Sequence, residues 1–288
     1  MLAPITFSCY LCSEYSETRT NTLASYEQPD QYEVAAGITE HSYFRKWVKC
    51  SNCGLILSIY SRTNSALDIL YEKLYRKVGS VPCRKQSTEQ TFELVRKLSP
   101  ESSETVERVT FIKEKISNYQ KMHLFPQKVK YRLLDVGGAT GSFAFEFKDK
   151  HWDVHVIDPD PSGAFLEKHD INFRCGYVSA KSYEIRFDLV SLVFVLEHVG
   201  DPKKIIQEIS ELMCEGALLY IEVPDEIAFI EKASSDDIFN SCHLFMFGPM
   251  SLGNLLRQSG FEILSLERSL TKRGHFALTC IAKLAILV

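Results

Sequence analysis

The sequence predicts an α/β protein built on a doubly wound, seven-stranded and mostly parallel sheet. From Lys130 onward, short apolar segments alternate with segments of helical periodicity, which is typical of parallel strands joined by crossover helices. The first apolar segment runs into a turn with three glycines, and a helical pattern follows. A strand, a glycine turn and a helix N-terminus together form a ligand-binding cradle in such folds. The 288 residues and 45% hydrophobic content suffice for one large domain and a smaller appendage.

The elements of this sheet are predicted after residue 129. The strands are expected at residues 131–136, 153–158, 172–175, 188–195, 217–223, 262–267 and 275–282. The helices between them are expected at residues 142–150, 163–168, 201–213 and 249–259. The last two strands are joined by a short connection without a crossover helix, so they should pair antiparallel at an edge of the sheet.

Two regions precede the sheet. We divide the chain into a zinc-binding region (1–60), a helical connector or lid (61–129) and the sheet domain (130–288). The connector has apolar residues at helical spacing, is interrupted by Pro82 and Pro100, and shows a helix start at Ser99-Pro100-Glu101. Residues 61–130 carry fourteen Lys/Arg against eight Asp/Glu. This excess is either a solvated helix face or a surface that meets an acidic substrate such as a nucleotide-sugar diphosphate.

Two Cys-x-x-Cys pairs predict a structural zinc site in the first region. Cys9 and Cys12 form one pair, and Cys50 and Cys53 form the other, with 37 residues between them. Four thiolates that converge tetrahedrally make a closed zinc site, which is structural rather than catalytic. Gly54 supplies a permissive backbone after the second pair. A redox disulfide would need a βαβ context, which this region lacks.

The charge distribution argues against a general nucleic-acid binder. The chain has a net charge of −4, and residues 1–60 carry four Lys/Arg against six Asp/Glu, which is the wrong sign for binding phosphate. The first residues lack the basic and apolar segments of a signal peptide. The apolar runs are much shorter than the roughly 20 residues of a membrane helix. We therefore expect a soluble, cytoplasmic protein without a membrane partner.

Two aspartates at the ends of neighbouring predicted strands indicate the cofactor. Asp135 precedes Gly137, Gly138 and Gly141, whose spacing is not the Gly-x-Gly-x-x-Gly of dinucleotide-binding proteins. An aspartate there would repel a pyrophosphate but suits a cationic amine. Asp158 ends the next strand, where a carboxylate can accept both hydroxyls of a ribose. A ligand with an amine, a ribose and a base but no phosphate matches S-adenosylmethionine.

These motifs resemble the class I S-adenosylmethionine-dependent methyltransferases. The resembling segments are, in chain order, 133–141 (LLDVGGATG), 157–159 (IDP), 187–190 (FDLV), 195–202 (VLEHVGDP) and 212–224 (LMCEGALLYIEVP). Residues 215–217 (EGA) stand where Pro-Gly-Gly is usual, which should change the turn but not the strand. The resemblance covers residues 130–285 and implies a Rossmann-like methyltransferase fold.

The first region is similar to a subset of this family that carries two widely spaced Cys-x-x-Cys pairs. The resemblance rests on Cys50 to Leu55 and on the segment from Tyr71 to Tyr75. Members of this subset often methylate sugars, nucleotide-sugars, or polysaccharide and natural-product intermediates. The resemblance therefore implies a small-molecule acceptor, such as a nucleotide-sugar or glycan, rather than DNA, RNA or protein.

The resemblance also implies cofactor contacts at the matched positions. The residues that would border the methionine part are Asp135, Gly137, Gly138 and Gly141, and Asp158 would meet the ribose. Pro159 and Tyr177 would lie near the adenine. Phe194 and Leu196 would form the wall under the sulfonium.

Two histidines are candidate bases for the methyl acceptor, because a hydroxyl or acidic carbon needs a base near its own pKa. His198 follows the predicted fourth strand. His243 precedes the helix predicted at 249–259, in a run that resembles related enzymes. His198 can instead be a structural residue at the start of the helix predicted at 201–213, and His243 a packed or solvated loop residue.

The expected function is methyl transfer from S-adenosylmethionine to an oxygen or carbon of a small, sugar-like acceptor. Glu222 and Asp225 are further candidates for substrate contact, although exposed loop carboxylates are the default for such residues. Two alternatives stay open. One is a non-catalytic module that binds the cofactor or a partner. The other is an RNA methyltransferase, which the acidic first region opposes and the basic connector favours.

Overall fold

The structure, a computed structural model, describes residues 9–12, 21–38, 43–60, 85–138 and 140–285. The described strands are β1 (Asn21–Tyr26), β2 (Arg45–Lys49), β3 (Ile56–Tyr60), β4 (Tyr131–Val136), β5 (Trp152–Asp158), β6 (Asn172–Cys175), β7 (Phe187–Val193), β8 (Met213–Pro224), β9 (Phe245–Met246), β10 (Phe261–Leu270) and β11 (Phe276–Leu284). The described α-helices are α1 (Gln31–Ala35), α2 (Thr88–Val95), α3 (Glu104–Lys121), α4 (Ser142–Phe147), α5 (Pro202–Ser210), α6 (Ala228–Glu231) and α7 (Pro249–Gln258).

Seven of these strands form the predicted mostly parallel sheet. Their order is β10-β11-β8-β7-β4-β5-β6. All neighbours from β8 to β6 are parallel, and β11 is antiparallel to both β8 and β10. The predicted antiparallel pair at the sheet edge is confirmed. The strand order reverses between β4 and β7, and ligands of open α/β sheets bind at the carboxyl ends of the strands at such a switch point.

All seven predicted strands exist, but two neighbouring elements differ from the prediction. The segment predicted as a helix at 163–168 is a run of 3₁₀ turns, Pro161–His169. A Cβ at Gly163 would lie 2.3 Å from Phe173, so this segment lies tightly against β6. Met213 begins β8 instead of ending a helix. Its early start is accommodated by a register shift between Phe187 and Leu189 and by Gly216, whose φ is 72°.

The sheet separates two apolar layers. Alternate residues of β4 point to opposite faces: Leu134 and Val136 belong to one core cluster, and Leu133 belongs to the other. The second cluster contains Phe143 and Phe147 from α4, both buried. These phenylalanines therefore pack in the core, and the layer positions the helix that follows the glycine turn.

A second, four-stranded sheet was not predicted as such. Its order is β1-β2-β3-β9, and all its pairs are antiparallel. The sequence predicts a hairpin or loop between the cysteine pairs, and the structure shows β1, α1 and β2 there. Strand β9 begins more than 180 residues after the end of β3 and two residues after His243. The N-terminal region is therefore bonded to the segment that carries a predicted site residue.

The described part of the connector is mainly helical, with turns between the helices and after Lys121. The predicted start at Ser99 is a 3₁₀ turn at Pro100–Ser102, and the long helix α3 begins after it with Ser103 as its N-cap. Leu67, Leu70, Leu74 and Pro82 lie outside the described residues. Within the described ranges, no helix has the length and hydropathy needed to cross a membrane.

Candidate active site

The glycine turn after β4 holds the backbone close to its neighbours. Gly137 and Gly141 have φ angles of 68° and 72°, a left-handed conformation that favours glycine. A Cβ at Gly137 would lie 2.6 Å from Val195, and one at Gly141 would lie 2.3 Å from Leu166. The Gly137 amide donates to the carbonyl of Ile157 over 2.8 Å. The turn is therefore tied to the end of β5 and has no room for larger side chains at these two positions.

The carboxylate of Asp135 lies beside this turn and is 2% exposed. The Ser191 hydroxyl donates to Asp135 Oδ1 over 2.7 Å, and a Cβ at Gly138 would lie 2.6 Å from Asp135 Oδ2. Burial raises the pKa of Asp135 to about 7. The hydrogen bond from Ser191 and the charge of Arg108 lower this pKa, and the charge of Asp158 raises it. A positive charge on a bound ligand would favour the ionised carboxylate.

Asp158 ends β5, the strand beside β4, and is 1% exposed. The amide of Asp160 donates to Asp158 Oδ1 over 2.9 Å, and the Asp158 carbonyl accepts from the amide of Gly176 over 2.9 Å. The turn after β6 therefore closes on the end of β5. Pro159 follows Asp158 directly, and the side chain of Tyr177 is 64% exposed at the rim of this edge.

The segment after β7 contains a strained residue. Phe194 has a φ of 53°, which is rare for a bulky side chain and is found mainly where the surroundings impose it, often at functional sites. Its amide donates to the carbonyl of Glu222 over 2.8 Å. Val195 contacts the glycine turn at Gly137, as described above, and Leu196 is fully buried in the core. The strand end, the glycine turn and β8 therefore meet around Phe194.

The structure brings the two predicted histidines together. The ring centroids of His198 and His243 are 4.8 Å apart. Nδ1 of His198 bonds to the carbonyl of Cys242 over 2.9 Å, and Nδ1 of His243 bonds to the carbonyl of Ile238 over 2.7 Å. Because carbonyl oxygens only accept hydrogen bonds, each Nδ1 carries a proton. Burial lowers the pKa of His243 to about 4, so this side chain is neutral near pH 7.

Glu197 is a third member of this cluster and is not among the site residues predicted from the sequence. Its side chain is fully buried, and its backbone carbonyl accepts hydrogen bonds from the amides of Leu244 and Phe245. Burial raises the pKa of Glu197 to about 8, and the charge of Glu222 raises it further. Glu197 lies in the segment 195–202, which resembles a family motif. That position was the one sequence feature that could have pointed to this residue.

The structure changes the predicted roles of His198, Glu222 and Asp225 at the carboxyl ends of the parallel strands. The N-cap of α5 is Asp201, which accepts from the amide of Lys204 over 2.8 Å, so His198 does not cap that helix. Glu222 and Asp225 are not exposed loop carboxylates, because their exposures are 4% and 0%. Both acids are held by arginines.

Arg108 from α3 donates two hydrogen bonds to Glu222, one of them from Nη2 to Oε1 over 2.6 Å. The Tyr220 hydroxyl donates to the same carboxylate over 2.8 Å. Arg268 forms an ion pair with Asp225 at 2.7 Å. Because both of its oxygens already accept hydrogen bonds from these partners, Glu222 is placed to position other groups rather than to contact a substrate.

The four predicted zinc ligands converge. Their four sulfur atoms all lie within 4.8 Å of one another; the residues are Cys9, Cys12, Cys50 and Cys53. The Sγ–Sγ distances are 3.3 Å between Cys9 and Cys53 and 3.7 Å between Cys12 and Cys50. Zinc–sulfur bonds of about 2.3 Å in a tetrahedron place sulfurs about 3.8 Å apart. The donor set therefore fits a closed zinc site, and Gly54 has the expected positive φ of 73°.

The arrangement at the switch point also fits S-adenosylmethionine. Asp135 offers a buried carboxylate for a cationic group, and Asp158 offers one at the place where a ribose binds in such folds. Positive φ angles at Gly137 and Gly141 let the backbone turn closely between these acids.

Comparisons with known proteins agree with this architecture. A model of the family described as "Methyltransferase domain" matches residues 92–266, more than half of the chain. A solved structure of a Burkholderia thailandensis 1,6-didemethyltoxoflavin-N1-methyltransferase, with 1,6-didemethyltoxoflavin and S-adenosylhomocysteine bound, is similar at 16% identity and a TM-score of 0.53. That similarity covers 84% of this chain and 96% of that chain.

An S-adenosylmethionine-dependent methyltransferase from Clostridium acetobutylicum is similar at 13% identity and a TM-score of 0.49, covering 67% of this chain and 95% of that chain. A magnesium protoporphyrin IX methyltransferase from Synechocystis, with S-adenosylhomocysteine bound, is similar at 14% identity and a TM-score of 0.47, covering 62% and 84%. No curated protein matches the sequence significantly.

The chain belongs to the methyltransferase-domain family. It has the methyltransferase fold that the sequence predicts and is an S-adenosylmethionine-dependent methyltransferase.

Proposed function

We propose that this methyltransferase acts on an oxygen or carbon of a small, sugar-like acceptor such as a nucleotide-sugar or glycan. The observation that carries the proposal is the placement of two clusters at one edge of the sheet. Asp135 and Asp158 form the first cluster, and His198 and His243, whose rings are 4.8 Å apart, form the second. The first suits the cofactor, and the second suits a proton-bearing acceptor.

The cofactor is held by the residues around the glycine turn. The residues at its methionine part are Asp135, Gly137, Gly138 and Gly141, with Asp158 at the ribose and Pro159 and Tyr177 near the adenine. Phe194 lines the cleft under the sulfonium, and buried Leu196 supports it from the core. Bound S-adenosylmethionine would supply a methyl group on a positively charged sulfur. The chain contributes mainly by holding both reactants in line.

One of the two histidines removes the acceptor proton. Both histidines donate from Nδ1 to a backbone carbonyl, and in a neutral ring this leaves a lone pair on Nε2. A neutral imidazole can accept a proton, and the low pKa of His243 keeps it neutral. Because a pKa of about 4 makes His243 a weak base, it would take up the proton only as the new bond forms and the acceptor becomes more acidic.

The charge pairing of the connector favours a small acceptor over RNA. Five of its basic side chains are paired with acids: Arg96 with Glu93, Arg108 with Glu222, Lys113 with Asp149, Lys115 with Glu267, and Lys128 with Asp188. A cation already paired with a carboxylate contributes less to binding phosphate. The Burkholderia enzyme binds a small molecule on the same fold. At 16% identity, the two proteins share the fold alone.

The four cysteines bind a structural zinc ion in this proposal. Their sulfurs form a closed donor set without a position for a substrate. The ion would hold together the N-terminal region, which pairs with β9 through β3.

The cofactor assignment is tested by titration calorimetry with S-adenosylhomocysteine. Asp158→Ala and Asp135→Ala should each abolish detectable binding, because each removes a buried carboxylate from the cleft. Asp170→Ala is a matched control, since Asp170 is an exposed acid paired with Lys148 on the far side of the 3₁₀ segment. Unchanged affinity in both cleft variants would overturn the assignment.

The acceptor class is tested by transfer of label from methyl-labelled S-adenosylmethionine into fractionated cell extract. Label should enter the fraction of sugars and nucleotide-sugars. Label in the nucleic-acid fraction would support the RNA alternative instead. Cofactor binding without label transfer to any fraction would support a non-catalytic binding module.

A further inference from the structure

We propose that Glu197, His198 and His243 form a second metal site, which takes a divalent transition-metal ion at the acceptor side of the cleft. This site uses two imidazoles and one carboxylate, and it shares no residue with the four-cysteine site. The inference rests on the proposed function only for the role of the ion, because the site itself is argued from the three side chains.

The three side chains converge on one point. One potential ligand atom from each lies within 4.8 Å of the others, and His198 Nε2 is 3.9 Å from Glu197 Oε1. Nitrogen and oxygen ligands at about 2.0–2.1 Å from a tetrahedral ion are about 3.4 Å apart. Shifts of about 1 Å or less in each side chain would therefore bring them to bonding distance.

Glu197 points to a missing partner. Its side chain is fully buried, and neither carboxylate oxygen accepts a hydrogen bond from any described residue. A buried carboxylate without a donor is costly, since water no longer solvates it, and such groups are normally paired or bound to a metal. Neither histidine beside it donates a hydrogen bond to these oxygens. A cation bound between Glu197 and the two histidines would compensate the buried carboxylate.

The histidines are already oriented as metal ligands. Metal-binding histidines usually donate their second ring N–H to a carbonyl or carboxylate, which fixes the tautomer and the ring orientation. His198 and His243 both make this bond, to Cys242 and Ile238. Glu197 is held as well, because its carbonyl accepts from the Leu244 amide over 2.7 Å. The two segments that carry the ligands are thus fastened to each other without the ion.

The ligand set indicates the kind of ion. Two imidazoles with one carboxylate suit zinc or ferrous iron, whereas magnesium and calcium prefer oxygen ligands alone. Three protein ligands leave coordination positions open. An acceptor hydroxyl bound there would lose its proton to solvent more easily, because the ion lowers its pKa. In the metal-bound protein the histidines are ligands and the ion replaces their role as a base.

The test is the number of zinc ions per chain after equilibrium dialysis against Zn²⁺, measured by elemental analysis without any acceptor. The wild-type protein should hold two ions. Glu197→Gln, which keeps the size of the side chain, and His243→Ala should each hold one. His151→Ala is the control, because His151 is exposed and distant in the fold, and it should still hold two.

Cobalt separates the two sites independently of total metal content. Thiolate-to-cobalt charge transfer should saturate at one equivalent in every variant, and a second set of cobalt bands without charge transfer should appear only with Glu197 and His243 intact. This spectrum also shows that a variant is folded around its cysteine site.

A single zinc equivalent in the wild type would overturn the proposal, as would two equivalents retained in both cluster variants. A failure here is distinct from failure of the proposed function, which is decided by label transfer. If the protein transfers label but holds only one zinc ion per chain, the second metal site is ruled out and the histidines remain the candidate bases.

Discussion

At the scale of single residues, Asp135 combines deep burial with a pKa of about 7. Its ordinary pKa is 3.8, so the free protein disfavours the ionised carboxylate between pH 4 and 7. A ligand with a positive charge favours the same ionised form. Cofactor binding and protonation of Asp135 should therefore oppose each other.

We expect S-adenosylmethionine to bind about tenfold more weakly at pH 6 than at pH 8, because the ligand binds the ionised form and protonated Asp135 dominates below its pKa of about 7. Binding near pH 6 should release a proton. Calorimetry in two buffers with different ionisation heats measures both effects. Asp135→Asn should bind weakly at both pH values, and affinity in the wild type that stays constant over this range would contradict the prediction.

The same shift predicts that Asp135→Asn stabilises the ligand-free protein above pH 7. The folded state retains a proton that the unfolded state loses between pH 4 and 7, so stability falls as pH rises through this range. The raised pKa corresponds to a cost on the order of 4 kcal/mol. Asparagine keeps an acceptor for the Ser191 hydroxyl.

The melting temperature of Asp135→Asn should exceed that of the wild type by several degrees at pH 8. The difference should shrink as the pH is lowered toward 5. Ser191→Ala is a useful comparison, since it removes the hydrogen bond to Asp135 Oδ1 and should lower the melting temperature. If Asp135→Asn instead melts at a lower temperature than the wild type at pH 8, the surrounding groups stabilise the ionised carboxylate and the prediction is wrong.

At the scale of elements, the contact of α3 with β8 depends on a buried ion pair. The side chains of Arg108 and Glu222 are 9% and 5% exposed, and the Tyr220 hydroxyl shares the carboxylate. Burial normally disfavours a charged guanidinium, but the Glu222 carboxylate raises the pKa of Arg108 above its ordinary value. This pair connects the connector helix to the strand that bonds Phe194.

Arg108→Ala should destabilise the protein by about 3–5 kcal/mol, because it leaves Glu222 buried and without its cation. The matched control on the same helix is Lys113→Ala. Lys113 and Asp149 form a partly exposed pair, with exposures of 36% and 40%, and such pairs contribute at most about 1 kcal/mol. Urea denaturation of both variants gives the comparison. Equal losses in the two variants would mean that the buried pair has no special role.

At the scale of the whole molecule, the N-terminal region is part of the main core. Cys9, Leu11 and Cys53 belong to the same apolar cluster as Leu196 and Phe245. Strand β9, which contains Phe245, pairs with β3. The division into regions 1–60, 61–129 and 130–288 stays a prediction, but the first and third of these regions share a core and a sheet.

Loss of the thiolate-bound zinc should therefore destabilise the entire protein. Cys53→Ser should lose the zinc held by the cysteines and unfold at a lower temperature in a single transition, because the cluster lies within the shared core. Cys175→Ser is the control, since Cys175 is exposed and outside the cluster. Elemental analysis and scanning calorimetry test this. An unchanged melting temperature after loss of zinc would show that the N-terminal region unfolds separately.

The sequence alone determined the fold class and the strand series, and it predicted the cofactor. Periodic apolar segments such as 131–136 are local signals, and the glycine turn with Asp135 is contiguous in the chain. The strand β6 at Asn172–Cys175 was predicted to the residue. The four cysteines were also predicted as one cluster, because their paired spacing is a local signal of a shared ion.

Only the tertiary structure decided what surrounds these motifs. The pairing of β9 with β3 joins segments far apart in the chain, and two-residue strands leave no periodic signal. The left-handed Phe194 has no sequence signature, because its backbone is imposed by its neighbours. Glu197 became a candidate only when folding buried it beside His198 and His243, since burial and the absence of a hydrogen-bond donor depend on which distant segments meet.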